Sequence, residues 1–326
     1  MTPPLPLQDR IAGGLVGLLV GDALGVPYEF HPPADIPSPD LIEYTPPPGF
    51  RRAHHGVPPG TWSDDGAQAL CLLASLLETG SLDPDDLGRR LARWYEEGYL
   101  AVDANVFDVG VTTGRAIRAL RAGAPALQAG PAGAHDNGNG SLMRVLPLAL
   151  WHRGPDADLV RDAHLQSRVT HGHLRSQVCC ALYCLWARRL LAAGTGADAD
   201  PWLDATNTLR SIYTSQTAPQ PDALAELETS IRPDDPPEGK GTGYVVDCLR
   251  SARMVLAAPT YEEVVRSAIR LGHDTDTTAC VAGGVAGLLH GLSSIPDRWQ
   301  TALRGRDLYE PLLDGLLAAR AAPSAG

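Results

Sequence analysis

An all-α fold is predicted by three observations. Apolar residues recur at helical spacing along much of the chain, and no run of alternating β-branched residues appears. Hydrophobic residues make up 44%, aromatics only 6%, and Ala, Gly and Leu carry most of the apolar weight. That mix suits many closely packed helices better than a sandwich rich in Val, Ile, Tyr and Phe. A length of 326 residues fits one large domain or two average ones. No internal repeat stands out, so a single domain over residues 1–320 is expected, with a disordered tail at 321–326.

The first element, Ile11–Gly25, carries Gly13, Gly17 and Gly21 four residues apart, on one face where another helix can approach. These three glycines are read as packing devices. Residues Tyr28–Gly60 are rich in Pro without periodicity and are expected to drape over the core, with His54 and His55 exposed. A helix over Asp64–Thr79 follows from Leu70, Leu73, Leu76 and Leu77. Amphipathic helices are expected over Asp83–Tyr95 and Thr113–Arg121. The Gly, Ala and Asn-rich loop Gly130–Gly140 should lead into a helix near Ser141, and another should run over His173–Ala193. One or two amphipathic pieces lie within Gly194–Gly243. Further helices are predicted over Tyr244–Leu256, Tyr261–Arg270, Thr275–Leu292 and Leu308–Ala319.

A net charge of −11 offers no global basic field, so nucleic acid is an unlikely partner by charge. No targeting segment is visible, and the apolar runs, one interrupted by Asp22, are too short for a bilayer. Six cysteines in a chain of this size do not make a secreted disulfide framework. A reduced, cytoplasmic protein is expected. His171 and His173 with Cys179, Cys180 and Cys184 lack the spacing of a zinc site.

Two acidic clusters open apolar helices: Ser63-Asp64-Asp65 and Asp274-Thr275-Asp276-Thr277. One such cluster is an ordinary cap, since hydroxyls and carboxylates suit a helix N-terminus. Two of them before helices destined for the core would gather four carboxylates at high desolvation cost unless cations neutralise them. Oxygen-only ligands select hard ions such as magnesium or manganese. Adjacent acids can serve two ions, with one carboxylate bridging. The Gly-rich segment Asp136–Ser141 is the third feature, able to present backbone N–H groups to a phosphate.

Four motifs in order, Gly21-Asp-Ala-Leu-Gly25 with Glu29, Ser63-Asp-Asp, Gly138-Asn-Gly-Ser-Leu-Met-Arg144 and Gly272-x-Asp-Thr-Asp-Thr-Thr278, make the chain resemble the ADP-ribosylglycohydrolase family from residue 11 to about 292. The resemblance implies a compact orthogonal multi-helix bundle holding two divalent metal ions, Mg2+ or Mn2+. It implies Ser63, Asp64, Asp65, Asp274, Asp276 and Thr277 as metal ligands. Glu29, or the cluster aspartates Asp65 and Asp274, would handle the catalytic water. Gly138, Asn139, Gly140 and Ser141 would hold diphosphate and ribose, His171 would lie near the ribose, and Tyr244 near the adenosine. Asp108 would stand at the scissile end or cap its helix. Met143 is read as core and Arg144 as a buried ion-pair partner. The chain departs from the family at Gly66, where many relatives have Thr, and at His273, where Gly is usual; His273 is expected to reach into the ligand site. The implied activity is hydrolysis of the C1″ linkage between ADP-ribose and a modified protein or small molecule. A dinuclear-metal phosphatase on an ADP-ribose derivative and a non-catalytic, crystallin-like ADP-ribose binder use the same residues.

Overall fold

The computed structural model describes residues 5–192 and 200–322, and among them it contains fifteen α-helices and no β-sheet. They are α1 (Leu7–Gly25), α2 (Asp64–Thr79), α3 (Pro84–Glu97), α4 (Val111–Arg121), α5 (Ala126–Ala129), α6 (Leu146–Trp151), α7 (Asp156–Arg168), α8 (Leu174–Ala192), α9 (Pro201–Tyr213), α10 (Pro221–Glu226), α11 (Val245–Val255), α12 (Tyr261–Arg270), α13 (Thr275–His290), α14 (Asp297–Ala302) and α15 (Arg306–Ala321). The all-α expectation therefore holds.

The α1–α13 pair forms the centre. A β-carbon at Gly13, Gly17, Gly21 or Gly25 would overlap backbone atoms of Gly287, Gly283, Ala279 or Asp276, respectively. The partner numbers fall as the α1 numbers rise, so the two helices run antiparallel with their backbones in contact. The glycine stripe is thus a packing device, and it fixes more than packing: it sets the C-terminal end of α1, with Asp22, against the first turn of α13, with Asp276. Thr275 locks the junction by donating its hydroxyl to the Gly25 carbonyl at 2.8 Å. The most apolar stretch of Leu7–Tyr28 is long enough to cross a bilayer, contrary to the expectation from length, but it is wholly buried here. Helices α2, α6, α8, α14 and α15 also pack around α1.

Helix α2 occupies the predicted Asp64–Thr79, because Ser63 caps its start and Gly80 ends it in a left-handed conformation, φ 68°. The helix expected from Ser141 begins only at Leu146. Pro147 lies in its first turn, where the missing N–H costs nothing, and its ring keeps the helix from extending back. Helix α7 was not foreseen. Ala193, expected as the end of α8, lies outside the described residues, as do 194–199 of the region beyond it. Of the expected tail 321–326, Ala321 closes α15 and residues 323–326 lie outside the described residues.

Candidate active site

The two acidic clusters, distant in sequence, meet at the α1–α2–α13 junction. Fully buried Asp22, on α1, accepts the Ser63 N–H on both carboxylate oxygens (2.9 and 3.1 Å) and the Gly66 N–H on Oδ2 (2.7 Å). It satisfies N–H groups that the start of α2 would otherwise leave orphaned. Ser63 and Asp65 bond each other, and Thr277 of α13 donates its hydroxyl to Asp65 Oδ1 at 3.3 Å. Oxygens of Asp22, Asp65 and Asp276 lie within 4.8 Å of one another, and so do those of Glu29, Asp274 and Asp276. Asp276 belongs to both groups.

The donor set is oxygen throughout, and its electrostatics ask for a cation. Burial, reinforced by neighbouring carboxylates, pushes Asp64, Asp65 and Asp276 well above the ordinary carboxylate range. Burial raises Asp22 to about 7 despite its backbone hydrogen bonds, and raises Glu29 to about 10 with help from Asp108, Asp274, Asp65 and Asp22. Asp276 Oδ1 accepts the Thr277 N–H at 2.9 Å, whereas its buried Oδ2 has no hydrogen-bond partner. An orphaned buried carboxylate oxygen among oxygen donors is what a hard divalent ion would satisfy. The residues present therefore fit such ions.

Above the junction lies a cleft of about 310 Å³. Glu29, Asp64, Asp108, Asp274 and Thr277 line it on the acidic side, with Val109–Thr113 at the start of α4, and Gly138, Asn139, Gly140, Met143, His171 and Gly243 line the other wall. Met143 is both core, as expected, and cleft wall. The glycine loop is clamped to the segment that opens α11 by an isolated antiparallel bridge between Gly138 and Tyr244: Asn139 N–H donates to Gly243 O at 3.1 Å and Val245 N–H to Asn137 O at 3.0 Å. The Asn139 N–H is thereby lost to the expected phosphate cradle, while its side chain donates to Asp274 Oδ2 at 2.9 Å. Asn139 thus ties the loop to the acid cluster. His171 is buried beneath this loop, so that a β-carbon at Gly140 would come within 2.8 Å of its Cε1. Burial lowers the imidazole to about 3, leaving it neutral, and Thr170 Oγ1 holds its Nδ1 at 2.9 Å.

Several residues have surroundings other than those expected. Ser141 does not reach the cleft; it is fully buried and its hydroxyl accepts from Ser167 at 2.9 Å. Tyr244 stands outside the cleft lining, 40% exposed, with its hydroxyl accepting from Arg175 at 3.1 Å. The side chain of His273 is exposed rather than in the site. Its backbone, at φ 62°, bonds His31 O and the Phe30 N–H, both at 2.7 Å. That left-handed geometry is the one glycine adopts without strain. Arg144 pairs with no carboxylate among the described residues; its partners are Gln68, Gln166 and Gly140. His54 is not exposed as His55 is: its Nε2 lies 2.6 Å from Glu29 Oε2 and 4.0 Å from Asp108 Oδ1, with Phe30 and Phe107 rings on either side. Phe30, His54 and Asp108 share the left-handed backbone of His273, with φ of 63°, 47° and 56°. Such strain concentrates where side chains are held for function. The six cysteines are free and buried.

Sequence reasoning missed Asp22, His54 and Gln68 as parts of the site. Gln68, four residues after Asp64 on one helix face, was within reach of a spacing argument. Nothing in the Pro-rich segment distinguishes His54 from His55.

Comparison with known proteins gives a consistent result. The profile of the family described as ADP-ribosylglycohydrolase matches residues 3–326. An ADP-ribosylarginine hydrolase of Pseudomonas putida (strain GB-1) is 33% identical, over 92% of this chain and 75% of its own length. The ADP-ribosyl-[dinitrogen reductase] glycohydrolase of Rhodospirillum rubrum is 29% identical, over 93% and 92%. A solved structure titled ADP-ribosylglycohydrolase-related protein complex superposes with a TM-score of 0.71 at 33% identity, covering 96% of this chain and 98% of that one.

Proposed function

The chain belongs to the ADP-ribosylglycohydrolase family, a family of ADP-ribosyl hydrolases, and from that membership we propose that its acid-lined cleft cleaves the C1″ linkage between ADP-ribose and a modified target, with two divalent ions, Mg2+ or Mn2+, as cofactors. The observation that carries this reading is Asp276, shared by two oxygen clusters and left with one buried oxygen unpartnered, beside Glu29 and Asp274, which line a cleft walled by a glycine loop. Ser63, Asp64, Asp65, Asp274, Asp276 and Thr277 would hold the ions. Bound there, the ions would supply positive charge for ribose oxygens and lower the pKa of a water molecule.

The remaining steps belong to side chains. Glu29 Oε2 is engaged by His54, and Oε1, once bound cations keep the carboxyl ionised, would accept the proton of the attacking water; Asp65 and Asp274 are the other carboxylates within the cluster. The loop Gly138–Gly140 and neutral His171 shape the wall that receives diphosphate and ribose. Asp108, at the α4 side of the cleft, stands toward the leaving group. Free, buried cysteines support a reducing, cytoplasmic setting.

The test is release of ADP-ribose from a panel of defined linkages (arginine, serine, other side chains, small molecules) with Mg2+, Mn2+ or excess chelator. Metal-dependent release from at least one linkage is expected, abolished in Asp64→Ala and Asp276→Ala with the helical fold intact. Undiminished turnover in chelator or in Asp276→Ala would sink the metal assignment. Phosphate release without cleavage at C1″ would instead identify a phosphatase.

A further inference from the structure

Arg144 is fully buried, and burial lowers its guanidinium only to about 10, so it carries its charge at neutral pH. A buried cation ordinarily sits against a carboxylate. Arg144 instead donates to neutral acceptors: Gln166 Oε1 (3.1 Å), Gln166 O (2.8 Å), Gln68 Oε1 (3.0 Å) and Gly140 O (3.3 Å). The negative charge it serves is one amide away. Fully buried Gln68 turns its oxygen to Arg144 and donates from Nε2 to Asp64 Oδ2 at 2.8 Å. The amide dipole lies between cation and anion in the orientation that favours both. Nη1 thereby holds both a carboxylate of the acid cluster, through Gln68, and the carbonyl of Gly140 in the glycine loop that lines the cleft.

We propose that Gln68 and Arg144 are positioning residues that orient Asp64 for a divalent ion and fix the Gly138–Gly140 loop at its distance from that ion. The proposal rests on the assignment of Asp64 as a metal ligand. Partners one shell behind a ligand typically change metal affinity 10- to 100-fold when removed.

The experiment is Mn2+ titration of the full-length, substrate-free protein by calorimetry, in wild type, Gln68→Met and Asp64→Ala, with the thermal midpoint in chelator as the check on folding. Gln68→Met keeps the length of the side chain and loses both hydrogen bonds. A folded Gln68→Met protein binding Mn2+ about tenfold or more weakly supports the proposal, because a purely structural role would lower the midpoint and leave the affinity of the folded protein alone. Wild-type affinity in Gln68→Met, with Asp64→Ala defective, overturns the proposal while leaving the metal assignment standing. Wild-type affinity in Asp64→Ala overturns the assignment itself. Should Gln68→Met fail to fold, Arg144→Met reads the same quantities, since it loses the Nη1 bonds to both Gln68 and Gly140. Weakened Mn2+ binding, together with weaker ADP-ribose binding at saturating Mn2+, is then expected, and wild-type values for both would overturn the proposal.

Discussion

Asp22 does the work of a helix cap from a different helix. Its carboxylate, buried on α1, meets the N–H groups of Ser63 and Gly66 and so decides where α2 begins and how Ser63, Asp64 and Asp65 face α13. An amide of the same size can keep an oxygen at Oδ2, which accepts from both N–H groups, but sets an NH2 donor against the Ser63 N–H in place of Oδ1. Asp22→Asn should therefore leave two buried donors facing each other, at about 1–3 kcal/mol, and displace the first turn of α2. A lower urea midpoint and weaker Mn2+ binding are expected together, measured by fluorescence-monitored unfolding and calorimetry; an unchanged midpoint would contradict the capping role. In the sequence, Asp22 shows only as an interruption of an apolar run inside a recognisable motif, because its partners come 41 and 44 residues later. The acid pairs themselves were readable, since each sits together before an apolar helix. His54 was not, for its value comes from a left-handed backbone and two flanking rings that only the fold assembles.

The α1–α13 contact shows how far periodicity carries. Glycines at a spacing of four announce a close helix neighbour but do not say which one, and the answer, α13, is what brings the second acid pair to the first. Gly21→Ala places a β-carbon against the Ala279 carbonyl, a backbone group that cannot swing aside. Overpacking of this kind typically costs about 1–3 kcal/mol, and parting the helices also separates Asp22 from Asp276, so both stability and Mn2+ affinity should fall. Gly88, inside α3, gives the contrast. A β-carbon there meets the end of the Leu120 side chain at 3.3 Å and the Ala126 β-carbon at 3.6 Å, and no backbone. Gly88→Ala should raise stability by up to ~1 kcal/mol through helix propensity and leave Mn2+ binding alone. Equal thermal midpoints for the two variants would refute this account. The long helices were legible because caps and apolar period agree, as in α2. Helix α7 escaped because its buried face, Leu159, Val160 and Ala163, is small within a polar stretch, and α6 was displaced by Pro147.

Across the molecule, two families of buried groups pull stability in opposite directions with pH. His152 and His164 are lowered to about 4 and His171 to about 3, chiefly by burial. Between about pH 4 and their ordinary value near 6.5 the native state binds fewer protons than the unfolded chain, so their contribution is full above that window and is lost as pH falls. Asp22 and Asp108, raised chiefly by burial from 3.8 to about 7 and about 6, behave in the reverse sense. Over about pH 4–7 the metal-free native state binds more protons than the unfolded chain, so these acids reduce stability as pH rises. Divalent ions remove that second trend by keeping the acid cluster ionised, but they must displace its protons to bind. The gap between thermal midpoints in Mn2+ and in chelator should therefore be small near pH 5 and widen steadily toward pH 8. At about 100 times the dissociation constant, binding adds about 2.7 kcal/mol, enough for a shift of several degrees by differential scanning calorimetry. In chelator the profile should fall between pH 5 and 7, where the raised carboxyls, Glu29, Asp64, Asp65 and Asp276 as well as Asp22 and Asp108, outnumber the buried histidines, whereas in Mn2+ it should climb with pH. A gap of constant size from pH 5 to 8 would show that no buried carboxylate gives up its proton to the metal, and the junction of α1, α2 and α13 would then need another explanation for its charge.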